Sequence, residues 1–153
     1  MKRGQPHAGP ARPADPRAAA LVAEGRSELA SGQVQAAIDS FEAALTIDPG
    51  HTPIYLELAE AARIEGLQGK AIHYYREALA REPGNLAAIS GEGEALLEKG
   101  AVEKARRNLA RLESICGDQC AETQQLAAAL ARGPQGTVLT AEAVTPSTVV
   151  TQN

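Results

Sequence analysis

The sequence contains no tryptophan, and three tyrosines and one phenylalanine bring its aromatic content to only 3%. Hydrophobic residues still make up 44% of the 153 residues, which lies within the ordinary globular range. Alanine and leucine carry much of that content, and they favour closely packed helices because alanine is small and leucine loses little rotamer freedom in a helix. Long β-branched runs are also absent before the C-terminal tail. The composition therefore predicts an all-α protein of about one domain.

Long apolar runs are missing as well. No stretch approaches the roughly 18 residues that would cross a bilayer, so we expect no membrane span. The basic start, Lys2 and Arg3, is not followed by the apolar stretch of about 7–15 residues that a signal peptide needs. As written, the chain is expected to be cytoplasmic. If a signal segment lies upstream, the expected location is periplasmic or secreted.

Positive charge is scarce in the body of the chain. The net charge is −4, and residues 18–132 hold 11 basic and 17 acidic side chains. Nucleic acid is therefore not an expected partner, since phosphate contacts need a clustered excess of Lys and Arg. Lys104, Arg107 and Arg111 share one face of a predicted helix. A solvated outer face explains this stripe best, and contact with an acidic partner or anionic surface is the alternative.

An internal repeat is the most informative feature of the sequence. Gly32, Gly66 and Gly100 are spaced 34 residues apart. The same spacing relates five further columns: Ala37, Ala71 and Ala105; Phe41, Tyr75 and Leu109; Ala44 and Ala78; Pro49–Gly50 and Pro83–Gly84; Gly25, Ala59 and Gly93. Each copy is predicted to contain a helix, a break and a second helix, with the breaks at Gly32, Gly66 and Gly100. Glycine readily adopts the positive φ that ends a helix.

Helix boundaries follow from the capping residues. The expected N-caps are Asp15, Thr52, Asn85 and Asp118, with proline tolerated at the first helical position. The predicted helices cover residues 16–31, 34–47, 53–65, 68–81, 86–99, 102–115 and 119–132. Residues 16–132 are expected to form the folded domain. The head (1–15) and the tail (133–153) are predicted to be disordered, and strand addition by the tail to a partner is the alternative.

The repeat resembles the tetratricopeptide repeat (TPR), a helix–turn–helix unit of 34 residues. The resemblance is closest in AIDSFEAALTIDPG (37–50) and AIHYYREALAREPGN (71–85), and it covers residues 18–118. It implies a right-handed α-solenoid of three hairpins, as in small bacterial-type three-repeat arrays, plus a C-terminal capping helix. Glu24 and Glu28 in copy one, and Leu109 and Leu112 in copy three, depart from the pattern. Such departures are expected in terminal repeats.

The resemblance also implies a function. It suggests a scaffold or adaptor that holds a peptide or helix of another protein in a concave groove lined by the first helix of each copy. The residues expected to contact the partner are Val22, Arg26, Leu29, Leu56, Glu60, Arg63, Ile64, Ser90, Glu94 and Leu97. The alternatives are a self-assembling, homo-oligomeric structural subunit and a non-catalytic regulatory subunit of an enzyme complex.

One subgroup of the family grips the C-terminal carboxylate of heat-shock chaperones through Lys and Asn in the first copy and basic residues in the third. The present chain has Val22 and Arg26 at the first-copy positions, and Ala87 and Gly91 at the third-copy positions. Binding of chaperone tails is therefore not expected.

Catalytic patterns are missing. The three histidines, His7, His51 and His73, do not recur with acidic residues at ligand spacing. The sequence has no HExxH helix, no phosphate-binding glycine loop after a strand and no GxSxG turn. We therefore expect a protein that is not an enzyme, with no cofactor and no metal site.

The sequence has only two cysteines, Cys116 and Cys120, on either side of the predicted turn at Gly117. Three interpretations stay open from the sequence. The pair forms a structural disulfide that pins the last helix onto the array, or it remains as two free thiols, or it has a redox or metal role. Metal binding would need ligands from a second chain, because two thiolates do not complete a tetrahedral site.

Overall fold

The computed structural model describes residues 12–133, and within that range the chain forms seven α-helices and no strand. The helices are α1 (Pro16–Ala30), α2 (Val34–Ile47), α3 (Thr52–Ile64), α4 (Gln68–Arg81), α5 (Leu86–Glu98), α6 (Val102–Cys116) and α7 (Ala121–Arg132). The all-α prediction is confirmed, with three helical hairpins and a final helix. None of these helices combines the length and apolar character that a bilayer crossing requires.

The chain divides into two compact units, with the boundary between residues 88 and 89, inside α5. The described parts of the two units are residues 12–88 and 89–133. Most of the predicted disordered head and tail, namely 1–11 and 134–153, lies outside the described residues. The single folded domain predicted for 16–132 stays a prediction.

Glycines end the first helix of each hairpin, as the repeat predicted. Gly32, Gly66 and Gly100 have φ angles of 81°, 79° and 91°. In each case the amide that follows the glycine donates a 2.8 Å hydrogen bond to the carbonyl five residues earlier. This pattern satisfies carbonyls that a helix end leaves without a partner and reverses the chain. The 34-residue glycine spacing is thus the spacing of three similar turns.

In the first unit, α1 packs on α2, α2 on α3, and α3 on α4. The Phe41 side chain is fully buried and lies against Gly25 of α1. A Cβ atom at Gly25 would come within 2.7 Å of Phe41 Cδ1, closer than real Cβ contacts allow. The small residue at Gly25 and the large residue at Phe41 are therefore complementary halves of one contact.

Glu28 departs from the family pattern for a local reason. The Ser40 hydroxyl, on the neighbouring helix α2, donates a 2.7 Å hydrogen bond to Glu28 Oε1. Ser40 is buried, so its hydroxyl needs a partner, and Glu28 supplies it. The polar residue in copy one thus replaces an apolar contact by a hydrogen bond between α1 and α2.

The segment before α1 differs from the sequence prediction, which placed residues 12–15 in the disordered head. The Arg12 guanidinium donates two hydrogen bonds to the Asp48 carboxylate, at 3.1 and 2.9 Å. The Asp15 backbone amide donates a third to the same carboxylate at 2.9 Å. Hydrogen bonds from Arg12 and then from Asp15 hold the pKa of Asp48 below its ordinary value. Asp48 therefore fastens this segment beside the start of α3.

Two of the four predicted N-caps are confirmed. Asp15 accepts a 2.8 Å hydrogen bond from the Arg17 amide at the start of α1, and the Asn85 side chain accepts one from the Ala88 amide at 2.9 Å. Thr52 is instead the first helical residue of α3, which begins one residue earlier than predicted.

Asp118 was also predicted to be an N-cap, and it is exposed in the turn before α7. Cys120 occupies the cap position, because α7 begins only at Ala121.

The second unit contains the rest of α5, with α6 and α7. The Asn108 side-chain amide of α6 donates to the Ile89 carbonyl at 3.0 Å and to Glu92 Oε1 at 2.9 Å, which links α6 to α5. Leu126 of α7 is fully buried and lies against Gly93 of α5. The predicted capping helix is therefore packed on both other helices of this unit.

Candidate functional site

A cavity of about 200 Å³ lies at the start of α1 and α3 in the first unit. Its lining is mainly apolar, and the residues that form it are Ala14, Ala19, Val22, Arg26, His51, Pro53 and Ile54. Val22 and Arg26 are among the residues predicted to contact a partner. The cavity is thus formed by α1 and α3, which are both first helices of their hairpins, together with Ala14 and His51 outside them.

Three local features of the sequence place these side chains together. Ala19, Val22 and Arg26 are separated by three and four residues, so they share one face of α1. Pro53 and Ile54 come from the first turn of α3, and His51 directly precedes that helix. Ala14 belongs to the segment between Arg12 and Asp15, which Asp48 holds in place. The cavity therefore depends on a segment outside the repeat pattern.

An ion pair borders the cavity and connects α1 to α3. Arg26 Nε donates to Glu57 Oε2 at 2.6 Å, and the guanidinium makes a second close contact with the same carboxylate. The Arg26 side chain is 62% exposed, whereas that of Glu57 is 19% exposed. The pair leaves the Arg26 charge compensated but accessible, so the rim presents a polar group beside an apolar cavity.

The remaining predicted contact residues of the first unit lie on α1 and α3 but do not line the cavity. Leu29 is half-buried and packs on the core around Phe41. Leu56 and Arg63 are half-buried, Glu60 is exposed, and Ile64 is 54% exposed. Arg63 and Glu60 form an ion pair at 3.8 Å. These positions stay predictions as partner contacts.

The predicted contact residues of the second unit have less accessible surface. Ser90 and Leu97 are each only 4% exposed. Glu94 is half-buried and accepts a 2.8 Å hydrogen bond from the Gln125 side chain of α7. A ligand that contacted Glu94 would therefore have to share this side chain with Gln125 of α7.

Cys116 and Cys120 form a disulfide in the structure, with Cα atoms 6.0 Å apart, a separation usual for disulfides. The bond closes the turn between α6 and α7.

Among residues 12–133 the structure shows no group of three or more His, Cys, Asp or Glu side chains arranged to hold a metal ion. His73, on α4, is 65% exposed and lies 3.9 Å from Glu77.

Sequence reasoning missed the other five lining residues. Ala19 was identifiable in principle, because it lies one helical turn before Val22 on the same face. Ala14, His51, Pro53 and Ile54 carried no such signal, since their proximity to α1 depends on the Asp48 contacts and on how α3 packs on α2.

The profile of the tetratricopeptide repeat family matches residues 4–52 and 22–85, and a second profile of the same name matches residues 65–132. The chain therefore belongs to the tetratricopeptide repeat family. No curated protein matches the sequence.

Solved structures, two of them TPR domains by name, share the fold. The first TPR of Spaghetti (RPAP3) bound to the HSP90 peptide SRMEEVD is 20% identical, with a TM-score of 0.67 over 78% of this chain and 99% of that one. The Sgt2 TPR domain from Aspergillus fumigatus is 23% identical, with a TM-score of 0.70 over 81% and 84%. The Yersinia enterocolitica type III secretion chaperone SycD, in complex with a peptide of the translocator YopD, is 19% identical, with a TM-score of 0.67 over 84% and 98%.

Proposed function

We propose that this protein is a non-catalytic, protein-binding scaffold, and that a peptide or helix of its partner lies along α1 and α3 of the first unit. The cavity beside Val22 and Arg26 carries this proposal. Two structural neighbours are complexes with peptides, one from HSP90 and one from the translocator YopD. Their identity to this chain is low, so the partner itself is inferred from the residues present here.

The size and lining of the cavity favour an apolar anchor. An apolar cavity of about 150 Å³ inside a protein can hold a benzene molecule. The cavity of about 200 Å³ beside Val22 is therefore large enough for one aromatic or large aliphatic side chain of a partner. Complete burial of such a side chain contributes roughly 1.5–3 kcal/mol, and this partly open cavity supplies a fraction of that.

The charged groups at the rim favour a peptide with a polar residue next to that anchor. Arg26 is already paired with Glu57, so an incoming carboxylate would share the guanidinium instead of meeting an uncompensated charge. Val22 and Arg26 also stand where the chaperone-binding subgroup has its first-copy Lys and Asn. The proposed ligand is therefore an internal peptide segment anchored by an apolar side chain, and not a chaperone tail held by its terminal carboxylate.

Selection from a library of displayed random peptides, followed by titration of the selected peptides, tests this proposal. We expect Val22→Trp to fill the cavity and to weaken binding at least ten-fold. The matched control is Ala80→Trp, which adds the same ring at an exposed position of α4 outside the cavity. Circular dichroism of both variants checks that the helices still form.

Selected peptides that bind Val22→Trp as tightly as the wild-type protein would show that the cavity is not the site. Failure to select any peptide would count against the scaffold role as a whole. Equal losses in Val22→Trp and Ala80→Trp would point to a general effect of the added ring.

A second role, self-assembly, is favoured by one observation. Ile64 and Leu67, on the two sides of the α3–α4 turn, are 54% and 46% exposed. Contiguous exposed apolar patches mark surfaces that contact another protein, and these two side chains would contribute to such a patch. A mass that rises with concentration in the wild-type protein, but not in an Ile64→Ser/Leu67→Ser variant, would support this role. A constant monomer mass would exclude it.

A further inference from the structure

The disulfide at the α6–α7 turn lies close to the surface of the second unit. Cys116 is the last residue of α6, and Cys120 directly precedes α7. Both cysteines are only half-buried, and the neighbouring Ile115 is 46% exposed. A thiol reagent or a protein dithiol therefore has surface on which to approach the bond. A disulfide placed in this way differs from one enclosed in a core, which reductants reach only on unfolding.

We propose that the Cys116–Cys120 disulfide is a reversible redox site, in which an incoming thiolate attacks Cys116 and expels Cys120, and that its reduction loosens α7. This inference is independent of the peptide-binding role. It rests on the asymmetry between the two sulfur atoms and on the contacts that hold α7 in place.

The two sulfur atoms have different surroundings. The Thr123 hydroxyl lies 2.9 Å from Cys120 Sγ and 3.4 Å from Cys116 Sγ. Thr123 is the donor in these contacts, because a disulfide sulfur carries no proton. Its side chain is buried, so the hydroxyl stays directed at the bond. A negative charge on Cys120 would therefore receive the shorter hydrogen bond, which acts against the Gly117 carbonyl oxygen 3.3 Å from the same sulfur.

The position of Cys120 at the N-terminus of α7 acts in the same direction. A helix N-terminus carries partial positive charge and stabilises a nearby anion, whereas Cys116 stands at the C-terminal end of α6, where the partial charge is negative. In thiol–disulfide exchange the sulfur that is more stable as a thiolate leaves faster. Cys120 is thus the better leaving group and Cys116 the sulfur that is attacked.

The reaction is a two-electron exchange with a dithiol reductant. The first thiolate of the reductant bonds to Cys116 Sγ, the Cys116–Cys120 bond breaks, and its electron pair stays on Cys120 as a thiolate. The second thiol of the reductant loses its proton and attacks the reductant's own sulfur in the mixed disulfide. Cys116 leaves as a thiolate, and both cysteines take up protons from solvent. The reductant ends as a disulfide.

Reduction affects α7 because the disulfide closes the turn that leads into it. In the chain-entropy model, a cross-link around a loop of about five residues lowers the population of conformations in which α7 has detached by a factor of roughly 30. Contacts of α7 that do not involve the disulfide include its packing on α6, Leu126 on Gly93, the Gln125–Glu94 hydrogen bond and a 3.5 Å contact from the Ser90 hydroxyl to the Glu122 carbonyl. These contacts persist after reduction, so α7 is expected to open more often without being lost.

The site of attack is measured directly with glutathione on the oxidised, full-length protein. A thiol count first establishes that both cysteines are oxidised. The protein is then exposed briefly to glutathione, free thiols are blocked with N-ethylmaleimide, and the chain is cleaved before Asp118, which separates the two cysteines. We expect glutathione on Cys116 at least about three times as often as on Cys120. An equal or reversed distribution, or two free thiols at the outset, would overturn the proposal.

The role of the hydroxyl is tested by Thr123→Val, which keeps a similar shape and removes the donor. We expect dithiothreitol to reduce this variant about three times more slowly than the wild-type protein. Thr46→Val is the matched control, since Thr46 is an exposed helical threonine on α2, in the other unit. Equal rates in all three proteins would show that Thr123 does not assist the departure of Cys120.

Hydrogen exchange tests the loosening of α7. Amides of α7 are expected to exchange up to about 30-fold faster in the reduced protein than in the oxidised protein, while amides of α2 and α3 keep their rates. A Cys116→Ser/Cys120→Ser variant should behave like the reduced protein and should not respond to reductant. Unchanged exchange in α7 on reduction would reject the loosening.

Discussion

Substitution of Gly25 by alanine tests the packing between α1 and α2 through two opposed effects. Alanine in place of glycine inside a helix ordinarily stabilises a protein by up to about 1 kcal/mol. At Gly25, however, the added Cβ would lie 2.7 Å from Phe41 Cδ1, and the Phe41 ring is fully buried. Overpacking of this kind costs about 1–3 kcal/mol. The overlap should outweigh the helix preference, so we expect Gly25→Ala to lower the free energy of unfolding by about 1 kcal/mol.

The cause can be isolated with a second substitution. Phe41→Leu removes the Cε1 and Cζ atoms of the ring, both of which would crowd the new methyl group. Leucine keeps two δ-carbons, so in that background Gly25→Ala should cost less than in the wild-type protein, giving a coupling free energy of about 1 kcal/mol between the two positions. Gly69, exposed in the first turn of α4, provides the control, since alanine there should only stabilise. Urea unfolding followed by circular dichroism measures all of these values. If Gly25→Ala stabilised the protein as Gly69→Ala does, the proposed contact would be refuted.

Three further predictions concern other parts of the chain. Because the folded-state pKa of Asp48 is lowered, the contribution of Asp48 to stability is present above its ordinary pKa of about 3.9 and is lost as the pH falls below that value. The unfolding midpoint of Asp48→Asn should therefore depend less on pH between 7 and 3 than that of the wild-type protein. An unchanged dependence would contradict a role for the Arg12 contact. Leu126→Ala should lower the free energy of unfolding of the second unit by about 2–5 kcal/mol, because the side chain is fully buried, and a loss below 1 kcal/mol in urea would show that α7 is not packed there. Gly66→Ala should lower the free energy of unfolding by about 1–2 kcal/mol, because the φ angle at Gly66 is 79°. Gly84→Ala lies in an open turn without that constraint, so it should change the free energy of unfolding by less than about 0.5 kcal/mol. Equal effects of the two substitutions in thermal unfolding would contradict the helix-end geometry.

The repeat made much of the helical fold predictable from the sequence. Gly32, Gly66 and Gly100 each impose a left-handed backbone conformation that ends a helix, and that requirement is local. A small residue and a large residue also recur at the Gly25 and Phe41 positions of the repeat, although the contact between Gly25 and Phe41 was not predicted. Such features depend on residues close in sequence or on a spacing that recurs, so a single sequence contains them.

Features that depend on one specific tertiary contact were not predictable. Arg12 and Asp48 are 36 residues apart in the sequence, and the residue pattern of neither segment predicts their contact. Asp118 is a better N-cap than Cys120 by residue type, yet α7 begins at Ala121, after the turn that the disulfide closes. Part of the lining of the cavity was missed for the same reason, since Ala14 reaches it through the contacts of Asp48.

The most direct test of the proposed role is to map a selected peptide on the isotope-labelled protein by NMR. Amides of α1 and α3 next to the cavity, such as those of Val22, Arg26 and Ile54, are expected to shift on titration and to saturate together with a single affinity. The same peptide should leave the spectrum of Val22→Trp nearly unchanged at equal concentrations. Saturable shifts centred on α2 or α4 instead, with the cavity residues unaffected, would contradict binding along α1 and α3.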